Sequence, residues 1–157
     1  MFKVRKIEEK DNQVMKEIIQ KSLKDFDLDQ PGTSYYDPQL NNLFDFYNHE
    51  NRDYFVFVDE DDNALGGSGF DEYDGKVAEL QKVFISKEAR GHKAAYQLIN
   101  QVIKAAKEDG YNKLYLETSS RLKAAVHVYE KMGFKKLDGP LKNANHSLMN
   151  LFYIKDI

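Results

Sequence analysis

Val77-Ala78-Glu79-Leu80-Gln81-Lys82-Val83-Phe84-Ile85, followed by Arg90-Gly91-His92-Lys93-Ala94-Ala95, is the stretch on which the fold turns. The first segment reads as a strand, an apolar run entered through the turn signal Asp74-Gly75. The second opens a long amphipathic segment. Ala95, Leu98, Ile99, Val102, Ile103 and Ala106 recur at i, i+3, i+4, i+7, i+8 and i+11, the stripe of a helix buried on one face. A strand, a short turn with small residues and a helix N-terminus therefore come in that order. The first turn of a helix carries unpaired N–H groups and the positive end of its dipole. Small residues there let a phosphate come close to the backbone. The arrangement suits a ligand bearing a pyrophosphate. A second reading is open at this point, because small residues also open helices simply to pack against a sheet.

Composition narrows the classes. At 157 residues the chain suggests one domain, 1–157, with a sizeable core. Hydrophobic residues make up 41%, and 10 Tyr and 10 Phe supply enough apolar mass for a packed α/β domain. A net charge of −3 makes nucleic acid a poor partner. The absence of Cys excludes disulfides, thiolate nucleophiles and cysteine metal sites. The start, Met1-Phe2-Lys3-Val4-Arg5-Lys6-Ile7, alternates like a strand and lacks a signal-peptide core. No apolar run approaches the roughly 18 residues of a membrane span. A cytoplasmic protein is the default expectation.

Along the chain, residues 2–7 read as a first strand. Asp11 or Asn12 can cap a helix carrying Val14, Met15, Ile18, Ile19, Ser22, Leu23 and Phe26 on one side. Asp37-Pro38 looks like the start of a second helix, with Leu40, Leu43, Phe44 and Tyr47. Strands are expected at 54–58, 64–70, 77–85, 113–117, 135–137 and 147–154. The order β-α-α-β-β-β-α-β-α-β-β implies a mixed, mainly antiparallel sheet with helices on both faces.

A second segment settles the ambiguity of the first. Leu122-Lys123-Ala124-Ala125-Val126-His127-Val128-Tyr129-Glu130-Lys131-Met132-Gly133-Phe134 reads as a helix ending at Gly133, followed by a strand. Together the two segments resemble the GCN5-related N-acetyltransferase family. Its first motif reads Arg/Gln-x-x-Gly-x-Gly/Ala, and Arg90 and Ala95 match it. Its second reads roughly Asn-x-x-Ala-x-x-x-Tyr-x-x-x-Gly-Phe, matched by Ala125, Tyr129, Gly133 and Phe134. The likeness covers residues 76–138 well and the rest through the order of elements. It departs at Lys93, where the family has its first glycine, and at Leu122, where it often has asparagine. A backbone N–H serves with any side chain if the dihedrals are helical, so Lys93 does not forbid phosphate binding. Its ammonium either pairs with a phosphate or points into water.

The resemblance implies the acyl-CoA N-acyltransferase fold, an α/β (α+β) sheet of about seven strands with about four helices. It implies transfer of acetyl from acetyl-CoA to a primary amine of a small molecule or peptide by direct attack, without a metal. Arg90, Gly91, His92, Lys93, Ala94 and Ala95 would hold the pyrophosphate. Val83, Phe84 and Ile85 would bind the pantetheine arm as an extra strand does, one N–H steadying the thioester oxygen. Leu122, Ala125 and Tyr129 would complete the cofactor site.

An amine with a pKa near 10 must lose a proton before it attacks. Glu79 stands where some family members keep a catalytic glutamate; otherwise it is a solvated or lysine-paired strand residue. Tyr129 takes the family position beside the cofactor sulfur, able to protonate the leaving thiolate; otherwise it is a packed aromatic. Tyr35 and Tyr36 beside Asp37 can meet a cationic amine by ring face and carboxylate, or simply pack a loop. His146, after Asn143-Ala144-Asn145, lines the same pocket or lies on the surface. The four histidines show no metal-ligand spacing. A rival from another class is a catalytically weak acyl-CoA-binding relative that regulates a protein partner. The acceptor's identity and a homodimer both stay open.

Overall fold

The computed structural model describes residues 1–142 and 146–157. Seven strands are β1 (Lys3–Lys6), β2 (Asp53–Val58), β3 (Ala64–Asp74), β4 (Val77–Ile85), β5 (Lys113–Thr118), β6 (Lys135–Leu137) and β7 (Leu151–Asp156). They form one sheet in the order β1-β2-β3-β4-β5-β7-β6. Every neighbouring pair is antiparallel except β4 and β5. The helices among the described residues are α1 (Asn12–Asp25), α2 (Leu43–Tyr47), α3 (Ala94–Glu108) and α4 (Lys123–Lys131), with short 3₁₀ turns between. The mixed, mainly antiparallel sheet expected from the sequence is present.

Each face of the sheet has its own core. Under α3 and α4 lie Phe55, Phe57, Phe70, Ala78, Leu80, Leu114 and Leu116. The buried stripe of α3 is Ala94, Leu98, Ile99, Val102 and Ala106. The helix therefore turns Ala94 inward, one residue before the expected Ala95, and leaves Ile103 at the margin. On the other face Met15, Ile19 and Leu23 of α1 and Leu43 and Tyr47 of α2 cover Tyr54, Val56 and Val58. A fully buried side chain of this size contributes about 1.5–3 kcal/mol.

The parallel pair positions the site. β4 and β5 pair only at Val77–Lys113, Ala78–Leu114 and Glu79–Tyr115. Beyond these pairs the strands diverge and leave a wedge between the rest of β4 and the end of β5. A bulge helps to turn β4 away. Gly67 pairs with Phe84 and Gly69 with Gln81, so Ser68 alone faces Lys82 and Val83. Lys82 takes a left-handed φ of +52°. The bulge is held from below by Tyr54, whose hydroxyl donates to the Lys82 carbonyl at 2.8 Å. The Tyr54 ring lies against β3 where side chains are missing: a Cβ on Gly67 would sit 2.4 Å from it, and one on Gly69 2.6 Å. Gly67 and Gly69 are thus the seat for one aromatic ring.

Three local expectations change. The second helix is split: residues 38–41 form a 3₁₀ turn, and α2 restarts at Leu43. Asn42 breaks the run because its side chain accepts from Asp45 N, while Asn12 Oδ1 takes Phe44 N. Asp11 does not cap α1, since its carboxylate takes two guanidinium bonds from Arg5 at 2.8 and 3.1 Å. The last strand begins at Leu151 rather than at residue 147. Ahead of it the chain turns, with Leu148 N on Gly32 O and Asn150 exchanging bonds with Ser120. The Asn143-Ala144-Asn145 segment lies outside the described residues.

Gly67→Ala is expected to lower the unfolding free energy by about 1–3 kcal/mol, because its methyl meets the Tyr54 ring in a closed interior. Urea denaturation measures this, and an unchanged midpoint would remove the seat from the account of the bulge.

Candidate active site

The wedge opens into a cleft lined by both sides of the sheet. Glu79, Gln81, Lys82, Val83 and Phe84 come from β4, and Leu116, Glu117 and Thr118 from β5. Leu122, Ala125 and Tyr129 come from the start and body of α4, and His146 and Met149 from the turn before β7. Of the residues singled out from sequence, Glu79, Val83, Phe84, Leu122, Ala125, Tyr129 and His146 meet here. The pairing of β4 on its β5 side ends at Glu79, which leaves the edge from Leu80 to Ile85 facing the cleft.

Glu79 is the last paired residue of β4 at the point of the wedge. Its Oε1 accepts from Gln81 Nε2 at 2.8 Å. Burial pushes its carboxyl above the ordinary glutamate range. Glu117 across the wedge pushes the same way, while the Gln81 hydrogen bond, His146 and Lys82 pull it back. A carboxyl raised toward neutrality is suited to take a proton. Glu117 is itself held by the Tyr115 hydroxyl at 2.9 Å.

Tyr129 is 5% exposed, and among the described residues its hydroxyl has no hydrogen-bond partner. Burial raises its pKa, so it stays protonated at neutral pH. Its ring packs edge-on to Phe134 with centroids 5.8 Å apart. A phenol with its ring buried and its hydroxyl open to the cleft is a donor free to meet an acceptor there.

Before α3, Lys87–Ala89 make a 3₁₀ turn and Arg90 is extended. Gly91 and Lys93 both take positive φ, +83° and +57°. The helix begins at Ala94 with no side-chain cap. Lys93 therefore occupies the left-handed region and not a helical one, which corrects the dihedral premise of the sequence reading. The family glycine at this position is explained by the same backbone: it needs positive φ, and a lysine there is strained by about 1–2 kcal/mol. Arg90, Gly91, His92 and Lys93 are exposed. The His92 ring rests on Phe2, with centroids 4.4 Å apart.

At the other end of the cleft is a buried ion pair invisible in the sequence reading. Lys82, with only 3% of its side chain exposed, reaches Asp37 Oδ2 at 2.9 Å. His146 Nε2 meets Asp37 Oδ1 at 2.9 Å and Oδ2 at 3.1 Å. Burial raises the Asp37 carboxyl, but the His146 hydrogen bond and the Lys82 charge outweigh it and leave the group below the ordinary aspartate value. Asp37 is thus spoken for. Tyr35 and Tyr36 stand edge-on to each other at 5.1 Å. Tyr35 is partly covered near α1, Tyr36 is 62% exposed, and neither lines the cleft.

The residues of the cleft not singled out from sequence are Gln81, Lys82 and Glu117, which line it, and Tyr47 and Tyr54, which hold the Gln81 side chain and the Lys82 carbonyl. One signal was present: the polar pair Gln81-Lys82 interrupts an apolar strand opposite a glycine-rich one. Among the described residues no group of three or more His, Asp or Glu is placed to hold a metal, and no helix is long and apolar enough to cross a membrane.

A wedge between two parallel strands, a glycine-bearing loop into a helix and a buried tyrosine on the next helix agree with the comparisons with known proteins. Residues 15–134 match the Acetyltransferase (GNAT) family. The chain belongs to that family. It is 29% identical over 147 residues to the uncharacterized N-acetyltransferase YjgM of Escherichia coli (strain K12), covering 91% of this chain and 87% of that one. Among solved structures it is similar to a GNAT-family acetyltransferase of Staphylococcus aureus Mu50, with a TM-score of 0.87, 22% identity and 99% of each chain covered. The PaiA N-acetyltransferase of Thermoplasma acidophilum, in complex with coenzyme A, has a TM-score of 0.77 and 17% identity, covering 100% of this chain and 99% of that one. The fold is thus the GNAT acyl-CoA N-acyltransferase fold.

Asp37→Asn leaves the Lys82 ammonium buried without a carboxylate and is expected to cost about 3–5 kcal/mol. Replacing both partners, by Lys82→Met with Asp37→Leu, should recover most of that loss. Urea denaturation of the three proteins decides, and an Asp37→Asn variant as stable as the parent would show that the pair carries no net weight.

Proposed function

We propose that this protein transfers an acetyl group from acetyl-CoA to a primary amine of a small molecule or peptide. The observation that carries the reading is Tyr129, whose ring is buried and whose hydroxyl, without a hydrogen-bond partner among the described residues, lines the cleft where β4 leaves β5. The uncapped start of α3 and the unpaired edge of β4 support the same ligand. A pyrophosphate suits the N–H groups of the 90–95 loop, and an amide-bearing arm suits the strand edge. Acetyl-CoA supplies the acetyl thioester as co-substrate.

The chain's own residues then divide the work. Glu79 takes the proton from the acceptor ammonium, freeing its lone pair. A backbone N–H of the Val83–Ile85 edge steadies the thioester oxygen as charge develops on it. The new C–N bond forms as the C–S bond breaks. Tyr129 gives its proton to the departing thiolate and regains one from the nitrogen that has been acylated. Free thiol and an N-acetylated amine leave the site. His146 and the apolar Leu122 and Met149 border the acceptor end, with Tyr35 and Tyr36 on the outer loop. A cytoplasmic setting fits the requirement for acetyl-CoA.

Acetyl-CoA is expected to raise the melting temperature, since a ligand at 100 times its dissociation constant adds about 2.7 kcal/mol. A shift no larger than that from an unrelated nucleotide would defeat the reading. A clear shift with no thiol release against polyamines, amino acids, aminoglycosides and peptides would favour a non-catalytic acyl-CoA binder instead.

Tyr129→Phe keeps the ring and removes the hydroxyl. Cofactor affinity should change little in calorimetry, while turnover should fall by roughly 10- to 1000-fold. Equal turnover with a good acceptor would reduce Tyr129 to a packing residue.

A further inference from the structure

Glu79 has one direct side-chain donor among the described residues, and that donor is itself held from the core. Gln81 lies two residues along β4 from Glu79, on the same face of the strand. Its Nε2 donates to Glu79 Oε1 at 2.8 Å, and its Oε1 accepts from the Tyr47 hydroxyl at 2.6 Å. Tyr47 is 1% exposed and packs its ring against Tyr54 with centroids 5.1 Å apart. A side-chain amide can present either end to a carboxyl group. Only one end suits a phenol that donates, because the phenol must find the amide oxygen. With the oxygen committed to Tyr47, the NH₂ group is what remains for Glu79. An NH₂ donor favours the ionised carboxylate over the neutral acid.

We propose that Gln81, oriented by Tyr47, is a positioning residue that holds Glu79 as a carboxylate and commits one of its oxygens. Oε1 is bound by the amide, which leaves Oε2 to meet the acceptor's proton. The proposal rests on the reading of Glu79 as the base. The bulge is what makes the arrangement possible: it sends Lys82 toward Asp37, so the ammonium pairs there and leaves Glu79 to a neutral donor. The other groups facing Glu79 come from every neighbouring element. Glu117 and Tyr115 lie on β5, Asp71 and Tyr73 on β3, His146 on the turn before β7, and Lys82 on the same strand. Glu117, His146 and Lys82 act on Glu79 through space; Gln81 acts on it through a hydrogen bond.

The titration that tests the proposal needs no known acceptor. Protein labelled with ¹³C at the glutamate carboxyl carbons is titrated by NMR, with Glu79→Gln assigning the Glu79 signal. Gln81→Met keeps the length of the side chain and removes the donor. The Glu79 midpoint should move up by about one pH unit, the equivalent of one charge-assisted hydrogen bond. Tyr47→Phe should move it the same way by less, because the amide is then free to turn. Tyr47→Phe retains the ring in the core and carries the test if Gln81→Met fails to fold. Midpoints unmoved in the folded variants overturn the proposal. Turnover separates it from the reading beneath it. A Glu79→Gln variant that releases thiol as fast as the parent removes Glu79 as base, while a shifted midpoint still upholds Gln81's grip. Loss of turnover in Glu79→Gln with an unshifted Gln81→Met midpoint does the reverse.

Discussion

A single hydroxyl sets the shape of the site. Tyr54 is fully buried, and its donation to the Lys82 carbonyl satisfies a backbone group that the bulge takes out of the ladder. An unpaired buried carbonyl costs about 1–3 kcal/mol, so the bulge needs such a partner to persist. The ring that carries this hydroxyl fits only because β3 offers no Cβ at Gly67 and Gly69. From this seat follow the turn of β4 away from β5, the cleft between them, and the exit of Lys82 toward Asp37. Tyr54, Gly67 and Gly69, which hold the opening, do not themselves line it.

The electrostatics of the cleft are arranged around that departure. Two carboxylates, Glu79 and Glu117, face the wedge with neutral donors, Gln81 and Tyr115. The buried Lys82 ammonium is paired at the far end, with His146 on the same aspartate. Pairing Lys82 elsewhere keeps it from forming an ion pair with Glu79 that would fix the carboxylate in a very weakly basic state. Neutral hydrogen bonding orients a base without disarming it to that degree. The Asp37–Lys82–His146 group also ties the 34–41 segment, the bulge and the turn before β7 to one point.

Much of this was legible in the sequence, for identifiable reasons. The strand 77–85, the stripe of α3 and the Gly133 stop are period and punctuation, which sequence carries directly. Ala125 and Tyr129 stand at a fixed spacing within α4, so the wall of the cleft that this helix supplies could be read. The end of the cleft at Asp37 could not. Asp37, Lys82 and His146 are 45 and 109 residues apart along the chain and meet only through the sheet. Alternation along β4 puts Lys82 on the α3 face, and only the extra residue of the bulge overturns that. Lys93 misled in a smaller way, since its identity gives no sign of a left-handed backbone that glycine would have announced.

The contact of the His92 ring with Phe2 has a practical side. Residues at the start of β1 lie next to the loop that opens α3, whereas Asp156 at the end of β7 pairs with Lys113, at the end of β5 remote from the wedge. A fusion partner or affinity tag joined through the N-terminus crowds the loop that opens α3. One joined through the C-terminus hangs from the opposite end of the sheet and leaves the mouth of the cleft clear.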